Sequence, residues 1–275
     1  MGRVTRRGQV TKFRTDGTTS KREDVLAGEE PLEIRVQGRS FTVTMRTPGD
    51  DFDLVAGFLV SEGIIWEPGQ LISLRYCSGV DESGQQTFNV VDVQLRPDTA
   101  LPDTAMERHV YTSSSCGICG TASIEAVRKS SHYSVGDDDV RVALPVLAGL
   151  PEQLRKQQKI FDRTGGVHAA GLFDADGTLL CLREDVGRHN AVDKVVGWAL
   201  RTGLLPLRGT VLQVSGRASF ELVQKAQLAG IPLLAAVSAP SSLSVELAQD
   251  AGMTLVGFSR GTSLNCYSFP ERISA

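Results

Sequence analysis

No stretch of this chain approaches the run of about 18 apolar residues that a bilayer-crossing helix requires, so no membrane partner is expected. Neither the Walker pattern G-x-x-x-x-G-K-S/T nor a G-x-G-x-x-G fingerprint occurs, which removes a P-loop and the usual dinucleotide turn. The opening Met1-Gly-Arg-Val-Thr-Arg-Arg-Gly lacks the apolar centre of a secretion signal. Arg6 also stands where myristoylation asks for Ser or Thr. Cysteine is scarce: there are five, an odd number, and only two lie close together, a usage that suits a reducing cytoplasm. A net charge of −3 gives no electrostatic reason to expect nucleic acid as a partner. What remains is an ordinary globular composition, 41% hydrophobic and 22% charged over 275 residues, enough for one large core or two modest ones.

The rhythm of the chain changes part-way along. Residues 1–24 are basic and polar and read as a flexible tail. Residues 25–110 read as a small α+β domain. Leu32-Glu-Ile-Arg-Val and Phe41-Thr-Val-Thr-Met alternate as a hairpin around Gly38-Arg39, and Thr47-Pro48 is the expected start of a helix closed by Gly63. Two strands near 72–77 and 87–95 complete that unit. Residues 111–143 carry a cysteine loop and a connecting helix. Residues 144–275 alternate strand and helix: a helical stretch over 144–159 interrupted near Pro151, a hairpin across Asp174-Ala-Asp-Gly, then helices over 188–201, 219–229 and 242–250 between apolar strands. This alternation predicts an α/β fold with parallel crossovers and a sheet covered on both faces.

The chain's most chemical stretch is Thr112-Ser-Ser-Ser-Cys-Gly-Ile-Cys-Gly120. Glycine after each cysteine leaves the sulfurs uncrowded, and the following Thr121-Ala-Ser-Ile-Glu reads as a helix start. A thiol ahead of a helix N-terminus feels positive partial charge, which favours the nucleophilic thiolate. Thiol or sulfur chemistry at Cys116 and Cys119 is therefore the leading reading. Half of a zinc site, a structural disulfide and a thioredoxin-type pair are the alternatives, but Cys77, Cys181 and Cys266 are single and scattered, so no second ligand pair is in view and no metal is expected.

The loops after the second-half strands share a composition. They are Arg183-Glu-Asp-Val-Gly-Arg-His-Asn, Ser215-Gly-Arg-Ala-Ser, Ser238-Ala-Pro-Ser-Ser and Ser259-Arg-Gly-Thr-Ser. Ligands of such sheets bind beyond the carboxyl ends of the strands, where helix N-termini, hydroxyls and arginines suit phosphate. Ser215, Arg217, Arg188, His189 and Arg260 are thus expected around an anionic, nucleotide-like ligand. His168 stands where a zinc deaminase would have His-x-Glu, but Ala170 replaces the glutamate, so deamination is excluded there and the residue is either a ligand contact or a packed strand histidine.

Five motifs in order, Ser113-Ser-Ser-Cys-Gly-Ile-Cys-Gly120, Thr164-Gly-Gly-Val-His-Ala-Ala-Gly-Leu-Phe173, the run from Arg183 to Lys194, that from Ser215 to Lys225, and Gly257-Phe-Ser-Arg-Gly261, resemble the formate dehydrogenase accessory sulfurtransferase family, FdhD, over roughly residues 30–270. The resemblance implies a cytoplasmic, homodimeric sulfur carrier. It takes sulfane sulfur from a cysteine desulfurase as a persulfide on Cys116 and passes it to the bis-molybdopterin guanine dinucleotide of formate dehydrogenase. It also implies a cytidine-deaminase-like αβα sandwich in the second half, beside the smaller N-terminal α+β domain. Cys119 falls on the second family cysteine. Phe258, Ser259, Arg260, Gly261, Thr262 and Ser263 fall on the cofactor-binding run, where guanine nucleotides such as GDP are expected to bind.

Overall fold

The computed structural model describes residues 4–77, 79, 87–101 and 129–275. Thr5–Phe13 (β1) and Thr19–Ala27 (β2) pair antiparallel in an unbroken register, so the basic stretch expected as a tail is a hairpin. No residue of either strand is fully buried, so no apolar alternation marks it in the sequence. The backbone ladder holds it together, and Arg6–Glu30 (2.8 Å) and a bond from Arg163 to the Thr5 hydroxyl (3.1 Å) tie its base to the body.

Leu32, Ile34 and Val36 alternate with polar residues and give β3 (Glu30–Val36) one inward face. β4 (Arg39–Arg46) returns across Gln37-Gly38, whose positive φ angles of 52° and 78° match the turn to the twist of the strands. With β5 (Leu71–Tyr76) and β6 (Val90–Leu95) these form a sheet in the order β4-β3-β6-β5. The helix α1 (Asp51–Ser61) starts after Asp50 rather than at Thr47-Pro48. Thr47 is used elsewhere: its N–H donates to Asp185 (3.1 Å) and its hydroxyl accepts from the Val186 N–H (3.1 Å).

In the second half, β7 (Val142–Ala143) leads into α2 (Leu144–Gln157), which runs straight through Pro151. Buried Leu147, Leu150 and Leu154 hold the helix on both sides of the proline, and the break comes instead at Gln158, before α3 (Lys159–Thr164). Then follow β8 (His168–Asp174), β9 (Leu179–Asp185), α4 (Arg188–Arg201), β10 (Thr210–Val214), α5 (Phe220–Leu228), β11 (Leu233–Ala236), α6 (Ser242–Ala251), β12 (Thr254–Arg260), β13 (Ser263–Ser268) and β14 (Ile273–Ser274). The main sheet has the order β13-β12-β11-β10-β8-β9. Only β10, β11 and β12 are mutually parallel neighbours, because β8–β9 and β12–β13 are hairpins and β8 lies antiparallel to β10. Alternate strand residues serve two layers: Val211, Leu233 and Val256 pack with α2, while Leu212, Leu234 and Leu255 join the core containing α4, α5 and α6.

The two expected domains are not separate bodies. Leu32, Ile34 and Val91 of the first sheet belong to the same apolar cluster as Val192, Leu212 and Leu234. The helices α1 and α4 cross at glycines: a Cβ on Gly57 would stand 1.8 Å from the Asp193 carbonyl oxygen, and one on Gly197 1.8 Å from that of Asp53. Buried charge runs through the same junction. Lys194 Nζ meets Asp185 at 2.8 Å and donates to the Thr47 carbonyl at 2.9 Å, while Asp185 also accepts from the Gly187 N–H (2.8 Å) and the Asn190 amide (3.1 Å). Arg46, with no exposed surface, grips Asp51 through two bonds of 3.0 Å.

Candidate functional site

Because β9, β10, β11 and β12 point the same way, their carboxyl ends share one edge of the sheet, as the loop compositions lead one to expect. Cross-bonds stitch that edge together: Ser238 N–H to the Gly216 carbonyl (3.3 Å), Ser241 N–H to that of Ala218 (3.1 Å), and Phe258 N–H to that of Ser238 (3.2 Å). A cleft of about 590 Å³ opens there, with Ser215, Ser259, Arg260 and His168 on the sheet side and Arg155 of α2, Gln158 at the break and Phe161 of α3 opposite.

Each polar group has an identifiable posture. The Ser215 oxygen accepts from the Ala169 N–H at 2.9 Å, which leaves its proton for another acceptor. The bulge between β12 and β13 turns Ser259 inward, where it is fully buried and its hydroxyl has no partner among the described residues. Arg260 donates Nε to the Val237 carbonyl at 3.0 Å, leaving both Nη groups without a partner among the described residues. Phe258 sits at φ 52°, a left-handed conformation that costs a bulky residue energy, with its ring exposed. Gly261 at φ 58°, Thr262 and Ser263 form the exposed turn beyond it.

Three expected members, Arg188, His189 and Arg217, are not among the residues lining the cleft. His189, only 2% exposed, has its Nε2 3.9 Å from the Glu221 carboxylate of α5, and neither ring nitrogen has a hydrogen bond among the described residues. Burial pushes its pKa down, while the His189 ring beside Glu221 holds that carboxyl at about 2. Arg217 is exposed and is not among the residues lining the cleft. Conversely, the α2–α3 wall escapes sequence reasoning, since Arg155 and Gln158 carry no motif. Its position is set from across the sheet: the Glu184 carboxylate on β9 accepts the Ile160 and Phe161 N–H groups (2.8 and 2.9 Å), capping α3 in place of a local side chain. His132 stacks on Trp66 with ring centroids 3.7 Å apart.

Cys116 and Cys119 lie outside the described residues. The cysteines within them are poor nucleophiles where a shift is evident: burial pushes Cys181 up to about 12 and raises Cys266 as well. Among the described residues no group of three or more His, Cys, Asp or Glu side chains is placed to hold a metal ion, and no helix is long and apolar enough to cross a membrane.

Against known proteins, the FdhD/NarQ family model matches residues 27–274. The chain belongs to the FdhD/NarQ family. FdhD proteins described as sulfur carriers resemble it closely: that of Streptomyces avermitilis is 58% identical over all of this chain and 97% of its own, and that of Mycobacterium tuberculosis is 52% identical over the whole of both. A crystal structure of a formate dehydrogenase accessory protein from Desulfotalea psychrophila superposes with a TM-score of 0.75 over 99% of this chain and 100% of its own. At 24% identity that likeness establishes the shared FdhD fold.

Proposed function

We propose that this protein carries sulfur to formate dehydrogenase. Cys116 takes the outer sulfur of a cysteine desulfurase persulfide, and the cleft at the strand ends holds the bis-molybdopterin guanine dinucleotide that receives it. The observation that carries the second half is the buried Ser259 hydroxyl, without a partner among the described residues, lining a cleft beside Arg260. A buried hydroxyl left unsatisfied costs free energy unless a ligand completes it, and the two guanidinium nitrogens beside it that have no partner among the described residues suit a phosphate. Sulfur-carrier names among close relatives of full length support the first half. On this reading the layered sheet is a deaminase-type platform turned to cofactor binding, in a cytoplasmic homodimer.

The sulfur step balances without an added oxidant. The Cys116 thiolate attacks the outer sulfur, the S–S bond of the donor breaks, and the desulfurase leaves as its thiolate, giving Cys116-S-SH. If Cys119 then attacks Sγ of Cys116, hydrosulfide departs and a Cys116–Cys119 disulfide remains, the thiol pair supplying two electrons. Holding the recipient in the cleft makes delivery effectively intramolecular.

Incubation with desulfurase and cysteine should add about 32 Da per sulfur at Cys116, seen by mass spectrometry of the digested protein. Stoichiometric zinc in the purified protein would instead assign the cysteine pair a structural role and overturn the carrier reading. For the cleft, Arg260→Ala should weaken GDP binding by about 1.5–3 kcal/mol, roughly 10- to 150-fold in calorimetry. Equal affinity in variant and parent would move the phosphate site away from Ser259-Arg-Gly-Thr-Ser.

A further inference from the structure

We propose that His168 is a proton-coupled phosphate contact of this cleft: neutral while the cleft is free of anion, it takes up one proton as a phosphate enters and donates an N–H to it. The inference rests on the reading of the cleft as a phosphate site and adds a residue and a proton to it.

The geometry starts from strand direction. Because β8 runs against β10, its first residue, His168, falls at the same edge as the last residues of β10 and β12 and lines the cleft with Ser215 and Arg260. Its ring lies against Gly216, where a Cβ would sit 3.5 Å from Nδ1 and 3.7 Å from Cε1, so backbone fixes one side of the imidazole. The ring is half-buried rather than sealed, and what acts on it is burial and the charge of neighbours. The other cleft-edge histidine cannot serve, since His189 is buried.

The surrounding charge explains why a proton waits for a ligand. Burial lowers the His168 pKa first, and Arg188 and His189 on α4 lower it further, against an opposing pull from Asp185 on β9. Glu152 and Arg155 on α2 and Arg260 on β12 complete the charged lining of the cleft. The uncharged ring is thereby favoured, by burial first and by the Arg188 guanidinium next. A phosphate dianion supplies the missing counter-charge and favours the imidazolium, whose N–H···O–P bond is charge-assisted. Linkage fixes the sign: a group whose pKa rises on binding makes binding tighter as pH falls through the interval between its free and bound values.

The chain has four histidines, so imidazole proton resonances can be assigned by loss in His168→Asn, with His168→Gln as a second variant should the first be poorly folded. The expected result is a His168 pKa below the ordinary histidine value in the free protein and a clear rise with saturating GDP. Calorimetry should show GDP binding tightening between pH 8 and pH 6 by roughly three- to tenfold more in the parent than in either variant, a tenfold change corresponding to one unit of pKa rise. Comparison with the variants cancels protonation of the nucleotide's own terminal phosphate. An unchanged His168 titration with GDP bound would overturn the role of His168 and leave the cleft intact. Absence of GDP binding at either pH would overturn the cleft reading and this inference with it.

Discussion

A Cys116→Ala chain should leave formate dehydrogenase without activity when it is the only carrier present, while its own fold and GDP affinity stay at parental values. The expected size of the effect follows from chemistry: with the thiol gone there is no atom to hold the transferred sulfur. Cys119→Ala should be milder, slowing sulfide release without preventing loading. The complementary variant separates the steps, since Arg260→Ala should still gain about 32 Da per sulfur on Cys116 yet fail to mature the dehydrogenase, proximity having been lost while thiol reactivity remains. Active dehydrogenase matured by Cys116→Ala would end the assignment of that residue. Loss of sulfur loading in a folded Arg260→Ala chain would join the two sites into one.

Lys194→Met should cost about 3–5 kcal/mol of folding stability at neutral pH, the range for removing one partner of a buried pair. The lysine is 2% exposed in its side chain, Asp185 is not exposed at all, and the 2.8 Å contact between them is the carboxylate's cationic partner. Burial already pushes the Asp185 pKa above the usual carboxylate range, with Lys194 pulling it back. Without the lysine the folded-state pKa rises further above the unfolded one, so the variant loses stability as pH climbs through that interval. Denaturant melts at pH 5 and pH 8 should therefore show the larger deficit at pH 8. A deficit independent of pH would mean that lost packing, and not the stranded carboxylate, dominates.

Much of this was legible before any coordinates. The helices α4, α5 and α6 begin and end within a residue or so of their expected limits, because glycines at positive φ after α5 and α6, Gly230 and Gly252, are local stop signals. The shared strand edge was legible too, since it follows from strand direction and loop composition. What escaped has non-local causes. Thr47-Pro48 has the local form of a helix start, but Thr47 is engaged by Asp185, 138 positions away. The hairpin β1–β2 buries too little to leave a hydrophobic pattern. His189 looked like a cleft residue by position, yet the face of α4 that carries it packs toward Glu221 on α5. The cleft wall of α2 and α3 was invisible because its cap, Glu184, belongs to another strand.

The glycine crossing of α1 and α4 has a practical consequence. Eleven of the fourteen residues of α4 are buried, several of them beneath α1, and the Asp185 side chain accepts a backbone bond from Thr47. A fragment taken from residue 144 onward would carry the groups of the cleft but would present to water a bare apolar flank and a carboxylate, Asp185, stripped of its bond from Thr47. The nucleotide half is therefore not a portable module. Chemical denaturation of the full chain should show both halves melting in one transition, and attempts to borrow the cleft for another protein should succeed only when α1 and the segment around Thr47 travel with it.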